Sequence, residues 1–153
     1  MGDSSYGGAY LSPELIPLGD TGYLEALKSV LHELARGPSL VVHGRGSQFI
    51  LKDHPGSLHV LMVAPIEVRV KRVMQELGLD QEDARQEITR VDTSRHEFVR
   101  RYFHAELLDP VHYDLVINTR SLSFEAAASI IVNAFRSGES TERTKGQHGN
   151  DLK

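Results

Sequence analysis

The spacing of apolar residues predicts four helices along the chain. Leucine and valine side chains recur every three or four residues between 24 and 34, which is the pattern of an amphipathic helix that stops before Gly37-Pro38. The same reasoning predicts helices from Pro65 to Gly78 and from Asp80, as the N-cap, to about Phe103. A last helix opens at Ser121 or Ser123.

Short, nearly continuous apolar runs predict strands between these helices. The runs cover residues 39–43, 59–64 and 114–118. Unbroken apolar runs of this length suit strands that are covered on both faces, as in parallel sheets. Strands separated by helices indicate an α/β fold, here with about three parallel strands flanked by helices.

The ends of the chain lack this patterning. Residues 1–17 begin with many glycines and serines and predict a flexible N-terminal segment. Residues 18–136 hold all the predicted elements and predict one α/β domain. Residues 137–153 are polar and charged, with little apolar surface to bury, and predict a disordered tail.

Composition narrows the class of protein. The 153 residues include 17 basic and 21 acidic side chains, giving a formal net charge of −4, and 40% are hydrophobic. This is the composition of a soluble globular protein, and its mildly acidic balance disfavours nucleic acid or a membrane surface as partner. The chain has no cysteine, which removes thiol chemistry and fits a cytoplasmic location.

Arginines supply the candidate chemistry. Arg45 lies between Gly44 and Gly46 after the first predicted strand, where α/β sheets bind ligands, and a guanidinium there suits phosphate or carboxylate. Further arginines lie between the last two strands, and several on one cleft would suit phosphoryl transfer. Arg45 could instead lie in a tight turn with its side chain in solvent. The arginine-rich segment between the last two strands could instead be a charged helix with ordinary ion pairs. The eight histidines match no metal motif, so neither a metal site nor a catalytic residue is predicted.

Four blocks of sequence together resemble a known family. They are VVHGRGSQFIL (41–51), HVLMVAPIEVRVKRVMQELGL (59–79), ITRVDTSRHEFVRRYF (88–103) and YDLVINTRSLSFEAAASIIVNAF (113–135). In order and spacing they resemble the cytidylate-kinase-like family of P-loop nucleoside monophosphate kinases. The resemblance implies a three-layer P-loop NTPase-type fold, transfer of a phosphoryl group from ATP to a nucleoside monophosphate, and dependence on ATP and Mg²⁺.

The resemblance also implies roles for particular residues. Arg45 would face the nucleoside monophosphate. Arg69 or Arg72 would open the mobile lid, in which arginines gather around the phosphates. Asp92 and Arg95 match a D-x-x-R of the lid, where the aspartate orients the arginine or contacts the acceptor nucleotide. The family often has an acidic residue after the Gly-Arg pair, and this chain has Gly46 there.

One motif of the family is missing from the sequence. A P-loop needs G-x-x-x-x-G-K-[ST], and this chain contains no Gly-Lys pair. The matching blocks correspond to the later part of the family fold, which predicts a truncated domain that binds phosphate or nucleotide weakly and is inactive alone. An active kinase and a non-enzymatic interaction module are the alternatives. The module would use an exposed sheet edge, since the family's first strand lies between the strands matched by 39–43 and 59–64, and the same edge could support a homo-oligomer.

Overall fold

A computed structural model describes residues 20–37 and 39–147 of the chain. The chain divides into two compact units, residues 1–40 and residues 41–153, which are described separately below. The predicted flexible segment 1–17 and the end of the predicted tail, 148–153, lie outside the described residues. None of the helices in the described part of the chain is long and apolar enough to cross a bilayer.

Helix α1 (Asp20–Ala35) is the regular element among the described residues of the first unit. Its apolar stripe has the predicted spacing, and Leu31 is its most buried side chain, with 6% exposed. Val30 and Leu34 on the same stripe are 55% and 52% exposed. The predicted first helix is therefore confirmed, with its end two residues before Gly37.

Within its described residues, the second unit contains a two-stranded sheet and four α-helices. The elements are α2 (Ser47–Ile50), β1 (Val60–Val63), α3 (Ile66–Leu77), α4 (Gln81–Phe103), a 3₁₀ turn (Pro110–His112), β2 (Leu115–Asn118) and α5 (Phe124–Gln147). Strands β1 and β2 run parallel, with Val60 beside Leu115 and Val63 beside Asn118. Helices α3 and α4 occupy the connection between them. The predicted α/β fold with a parallel sheet is confirmed.

The sheet has two strands in the described part of the chain, and the prediction of a strand over 39–43 is wrong. Those residues have no strand assignment, and the side chain of Val41 is 95% exposed. Among residues 20–37 and 39–147, strand β1 pairs with β2 alone. An apolar run becomes a strand only where a neighbouring backbone completes its hydrogen bonds, and no described strand lies beside residues 39–43.

Helices α3 and α4 form an antiparallel hairpin around a small apolar core. Val70, Ala84 and Ile88 are its buried members, each 4% exposed or less. The turn is set by Gly78, which ends α3 with φ +67°, and by Asp80, whose carboxylate accepts from the N–H of Asp83 at 2.9 Å. A left-handed glycine and an aspartate N-cap are the signals from which both boundaries were predicted.

Helix α5 begins at the second of the two predicted serines and continues further than predicted. The hydroxyl of Ser123 accepts from the N–H of Ala126 at 3.1 Å, and Ala127 is fully buried. The helix runs through Gln147, whereas the sequence predicted a disordered tail from residue 137. No proline interrupts residues 124–147, and the sequence after Gly138 includes glutamate, arginine and lysine, which are good helix formers.

Candidate functional site

The turn that follows residues 39–43 holds an arginine in an unusual backbone conformation. Gly44, Arg45 and Gly46 have φ angles of +77°, +60° and +65°. A left-handed conformation is open to glycine but costs a residue with a side chain about 1 kcal/mol. The flanking glycines therefore meet no strain, whereas Arg45 is held in an unfavourable conformation in the only Gly-Arg-Gly of the sequence.

The turn is packed against the end of helix α4. A Cβ atom on Gly46 would lie 2.2 Å from Cε2 of Phe103, so only glycine fits beside this ring. Phe103 also stacks on Phe49 of α2, with 4.8 Å between ring centroids and 18° between the planes. His112 meets the Phe49 ring edge-on at 4.8 Å. This contact was not predicted, although Phe49 and the aromatic residues that end α4 are visible in the sequence.

Arg69 and Asp92 are brought together across the α3–α4 hairpin. The guanidinium of Arg69 donates two hydrogen bonds to the Asp92 carboxylate, at 2.6 and 2.8 Å, and about a third of each side chain is exposed. The hydrogen bonds with Asp92 raise the pKa of Arg69. In this structure the aspartate of D-x-x-R therefore orients an arginine of the other helix. Both residues were predicted site residues.

Arg72 is engaged at the end of strand β2. Its guanidinium donates to the hydroxyl of Thr119 at 2.9 Å and to the carbonyl oxygen of Thr119 at 2.6 Å. It also lies over the ring of Phe124, 4.9 Å from the centroid. Thr119 is 3% exposed and donates in turn to the carbonyl oxygen of Val63 at 3.2 Å. Arg72 thus joins α3 to the carboxyl ends of both strands.

Arg95 is exposed on α4, and the structure gives it no hydrogen-bond or ion-pair partner within residues 20–37 and 39–147. It lies three residues after Asp92, within one turn of the same helix. An open cleft of about 400 Å³ lies along this part of α4. Its lining residues are Ile66, Ile88, Thr89, Asp92, Thr93, His96, Glu97 and Arg100. The cleft thus contains Asp92 of the Arg69–Asp92 pair.

The chain's residues do not fit an ATP–Mg²⁺ site of the P-loop kind. Such a site needs successive backbone N–H groups, a lysine on the β- and γ-phosphates, and a Ser or Thr on the metal. The sequence has no Gly-Lys pair to supply them. Within the described residues, no group of three or more His, Asp or Glu side chains could hold a metal ion instead. No step of a reaction is therefore assigned to ATP or Mg²⁺ here.

Comparison with known proteins places these features in a family. Residues 12–121 match the model of the cytidylate kinase-like family. A cytidylate kinase from Sulfolobus acidocaldarius is 35% identical over 75 residues, which are 49% of this chain and 41% of that protein. The cytidylate kinase of Methanopyrus kandleri is 29% identical over 107 residues, 65% of this chain and 55% of that protein.

Two further matches are of other kinds. A protein named uronate isomerase from Corynebacterium glutamicum is 32% identical over 95 residues, which are 62% of this chain but 18% of that protein. The crystal structure of an uncharacterized protein from Eubacterium ventriosum superimposes with a TM-score of 0.71 at 22% identity. The superposition covers 77% of this chain and 74% of that chain. Because the identity is low, it supports the fold alone.

The curated relatives are matched over only part of their length. This chain covers about half or less of the two cytidylate kinases and under a fifth of the isomerase. The family model spans well over half of the present chain. The chain belongs to the cytidylate kinase-like family.

Proposed function

We propose that this chain binds the phosphate of a nucleoside monophosphate through Arg45 and the arginines of the α3–α4 hairpin, and that it does not transfer a phosphoryl group by itself. The observation that carries the proposal is the backbone of Arg45. Glycine at position 45 would remove the backbone strain, so an arginine in this conformation indicates that its side chain is functional. A guanidinium held in this way offers a planar fork for a phosphate.

The hairpin supplies the second part of the proposed site. Arg95 has no partner among the described residues and can turn toward a ligand, whereas Arg69 is fixed by Asp92. In the proposal Arg69 adds a positive charge to the phosphate site, and Asp92, which takes two of its donors, limits its contact with the ligand. Arg72 has a supporting role, since its donors are taken by Thr119. The cytidylate kinases matched by this chain favour a cytidine nucleotide as the first ligand to test.

The inactivity of the chain alone follows from the missing phosphate cradle. Phosphoryl transfer depends on electrostatic stabilisation of charge on the transferred group, and loss of such contacts lowers rates by orders of magnitude. Without the Gly-Lys pair, neither the P-loop backbone nor its lysine is present in the sequence. We expect binding without turnover.

Calorimetric titration of the full chain with CMP, AMP, ATP and inorganic phosphate tests the proposal. Arg45→Gly removes the guanidinium, and glycine adopts the left-handed conformation of the turn without strain. The affinity for CMP should therefore fall at least about tenfold. Arg95→Gln should weaken binding too, whereas the matched control Arg90→Gln, an exposed arginine of the same helix paired with Glu87, should not. No binding of CMP or phosphate at millimolar concentration would refute the proposal. Phosphorylation of CMP by ATP would refute its second half.

A second candidate function rests on the outer edge of strand β1. The carbonyl oxygens of His59 and Val63 accept hydrogen bonds from Leu115 and Thr119, so the alternating Val60 and Met62 direct their backbone groups away from β2. No described strand pairs with that edge, and Met62 is 45% exposed. An uncharged open edge can add a strand from another molecule, including a second copy. A concentration-dependent dimer in light scattering, with no nucleotide binding, would favour this candidate.

A further inference from the structure

The last residue of helix α4 sits directly on the turn that carries Arg45. The ring of Phe103 occupies the space that a side chain on Gly46 would fill, and Gly46 is buried beneath it. Phe49, three residues further along, stacks on the same ring. One phenylalanine therefore covers the second glycine of the turn and also fixes the short helix α2 that follows it.

Backbone hydrogen bonds also hold this turn. The N–H of Ser47 donates to the carbonyl oxygen of Gly44 at 3.2 Å, and the N–H of Phe49 donates to Gly46 at 2.9 Å. Glycines on both sides give the backbone a wide choice of conformations, and restricting one residue to a single conformation is costly. A strained arginine between two glycines persists only where its surroundings determine it, and the Phe103 ring is a large side chain packed against the second of these glycines.

We infer that Phe103 is a positioning residue, which holds the Gly44–Gly46 turn, and with it Arg45, in the conformation that binds phosphate. The inference rests on the proposed function for its ligand. Phe103 itself is not placed in contact with the ligand. It acts by removing the conformational freedom that binding would otherwise have to restrict.

Helix α4 extends this role to the hairpin. It is continuous from Gln81 to Phe103, so Arg95 and Phe103 lie about 12 Å apart along one axis. The helix that presents Asp92 and Arg95 thus ends on the turn of Arg45. A shift of α4 displaces both parts of the proposed site together, and the aromatic contact links their positions.

Removing the ring while leaving the rest of α4 intact tests the inference. Phe103→Leu should lower CMP affinity about tenfold, because binding must then order the turn. Tyr102→Leu, at the neighbouring aromatic residue of the same helix, is the matched control and should change affinity less than about twofold. In the Arg45→Gly background, Phe103→Leu should have no further effect on affinity. Equal losses in the two leucine variants, or a full additional loss in that background, would overturn the inference.

A readout in the free protein separates this inference from the proposed function. The backbone amides of Gly44, Arg45 and Gly46 should show lower heteronuclear NOE values in Phe103→Leu than in the wild type or Tyr102→Leu. Gly46→Ala, which meets the ring, should destabilise the wild type more than it destabilises Phe103→Leu. A wild type that binds no nucleotide would refute the proposed function alone. An unchanged turn in Phe103→Leu would refute the positioning role whatever the protein binds.

Discussion

Arg72 and Thr119 are joined through two hydrogen bonds that fasten helix α3 to the end of strand β2. One guanidinium nitrogen reaches the threonine hydroxyl at 2.9 Å and the other reaches its carbonyl oxygen at 2.6 Å. Thr119 is almost fully buried, so its carbonyl oxygen depends on this donor. An arginine that could have faced a ligand is thereby used to hold the carboxyl ends of the strands.

Arg72→Ala should lower the free energy of unfolding by about 2 kcal/mol. The substitution leaves a buried carbonyl oxygen without its donor and removes the contact with Phe124. Urea denaturation measures the loss, with Lys71→Ala, at an exposed neighbour on the same helix, as the control. Equal stability of the two variants would show that the contact with Thr119 contributes nothing.

Asp92→Asn should raise the affinity for inorganic phosphate several-fold. The substitution removes a negative charge beside Arg69 and frees its donors. Stability should fall by about 1 kcal/mol or less, since the pair is partly exposed. Glu87→Gln, which breaks the pair with Arg90 on the same helix, is the control.

The same variant distinguishes two roles of Asp92 when the ligand is CMP. If the aspartate contacts the acceptor nucleotide, as the family resemblance implies, CMP binds Asp92→Asn more weakly while phosphate binds it more tightly. A fall in affinity for phosphate itself would contradict the role of the free Arg69 guanidinium.

Arg45→Gly should stabilise the protein by about 1 kcal/mol while it weakens phosphate binding. Glycine relieves the left-handed strain, and the lost side chain is the proposed ligand. His104→Gly, at the other non-glycine residue with positive φ in the described chain, should give a similar stabilisation with no change in binding. Thermal denaturation and calorimetry on the two variants supply both quantities. A destabilised Arg45→Gly would mean that other contacts of the arginine outweigh its strain.

Tyr113 should make stability fall at alkaline pH. Its hydroxyl donates to the carbonyl oxygen of Leu107 at 2.6 Å and accepts from Gln48 at 3.0 Å, and burial raises the pKa of this phenol. A raised pKa in the folded state means that the stabilisation is complete below the unfolded value of about 10 and is lost as pH rises through the folded one.

Comparison of the wild type with Tyr113→Phe isolates this group. The variant should be about 1 kcal/mol less stable at pH 8, because the hydrogen bond to Leu107 is lost. The difference should shrink above about pH 10, where the phenol of the unfolded wild type begins to ionise. A constant difference between pH 8 and pH 11 in urea denaturation would exclude this titration.

The helices were predictable because their signals are local. Gly78 and Asp80 set the turn between α3 and α4 through backbone conformation and a cap that each residue carries by itself. The pairing of Arg69 with Asp92 could also have been predicted, since the two lie nearly equidistant from Asp80 in an antiparallel hairpin. The predicted pairing of Asp92 with Arg95 was based on their spacing within a single helix.

The features that were missed depend on the surroundings of a residue. The apolar run at 39–43 has the composition of a strand, but pairing is decided by a neighbour that the run does not specify. The contact between Gly46 and Phe103 joins residues far apart in the sequence, and neither residue type predicts the other. Arg72 was assigned to phosphate by its type, and its hydrogen bonds with Thr119 emerge only from the packing of α3 beside β2.

The closeness of Gly46 to Phe103 limits how this protein can change by mutation. An acidic residue after the Gly-Arg pair, as the family often has, would place its Cβ 2.2 Å from Cε2 of the aromatic ring. Such a carboxylate becomes accessible only after residue 103 has become smaller, so the two substitutions have a fixed order and strong epistasis. A library that varies position 46 alone should return glycine, whereas one that varies positions 46 and 103 together should also return acidic residues paired with a small residue at 103.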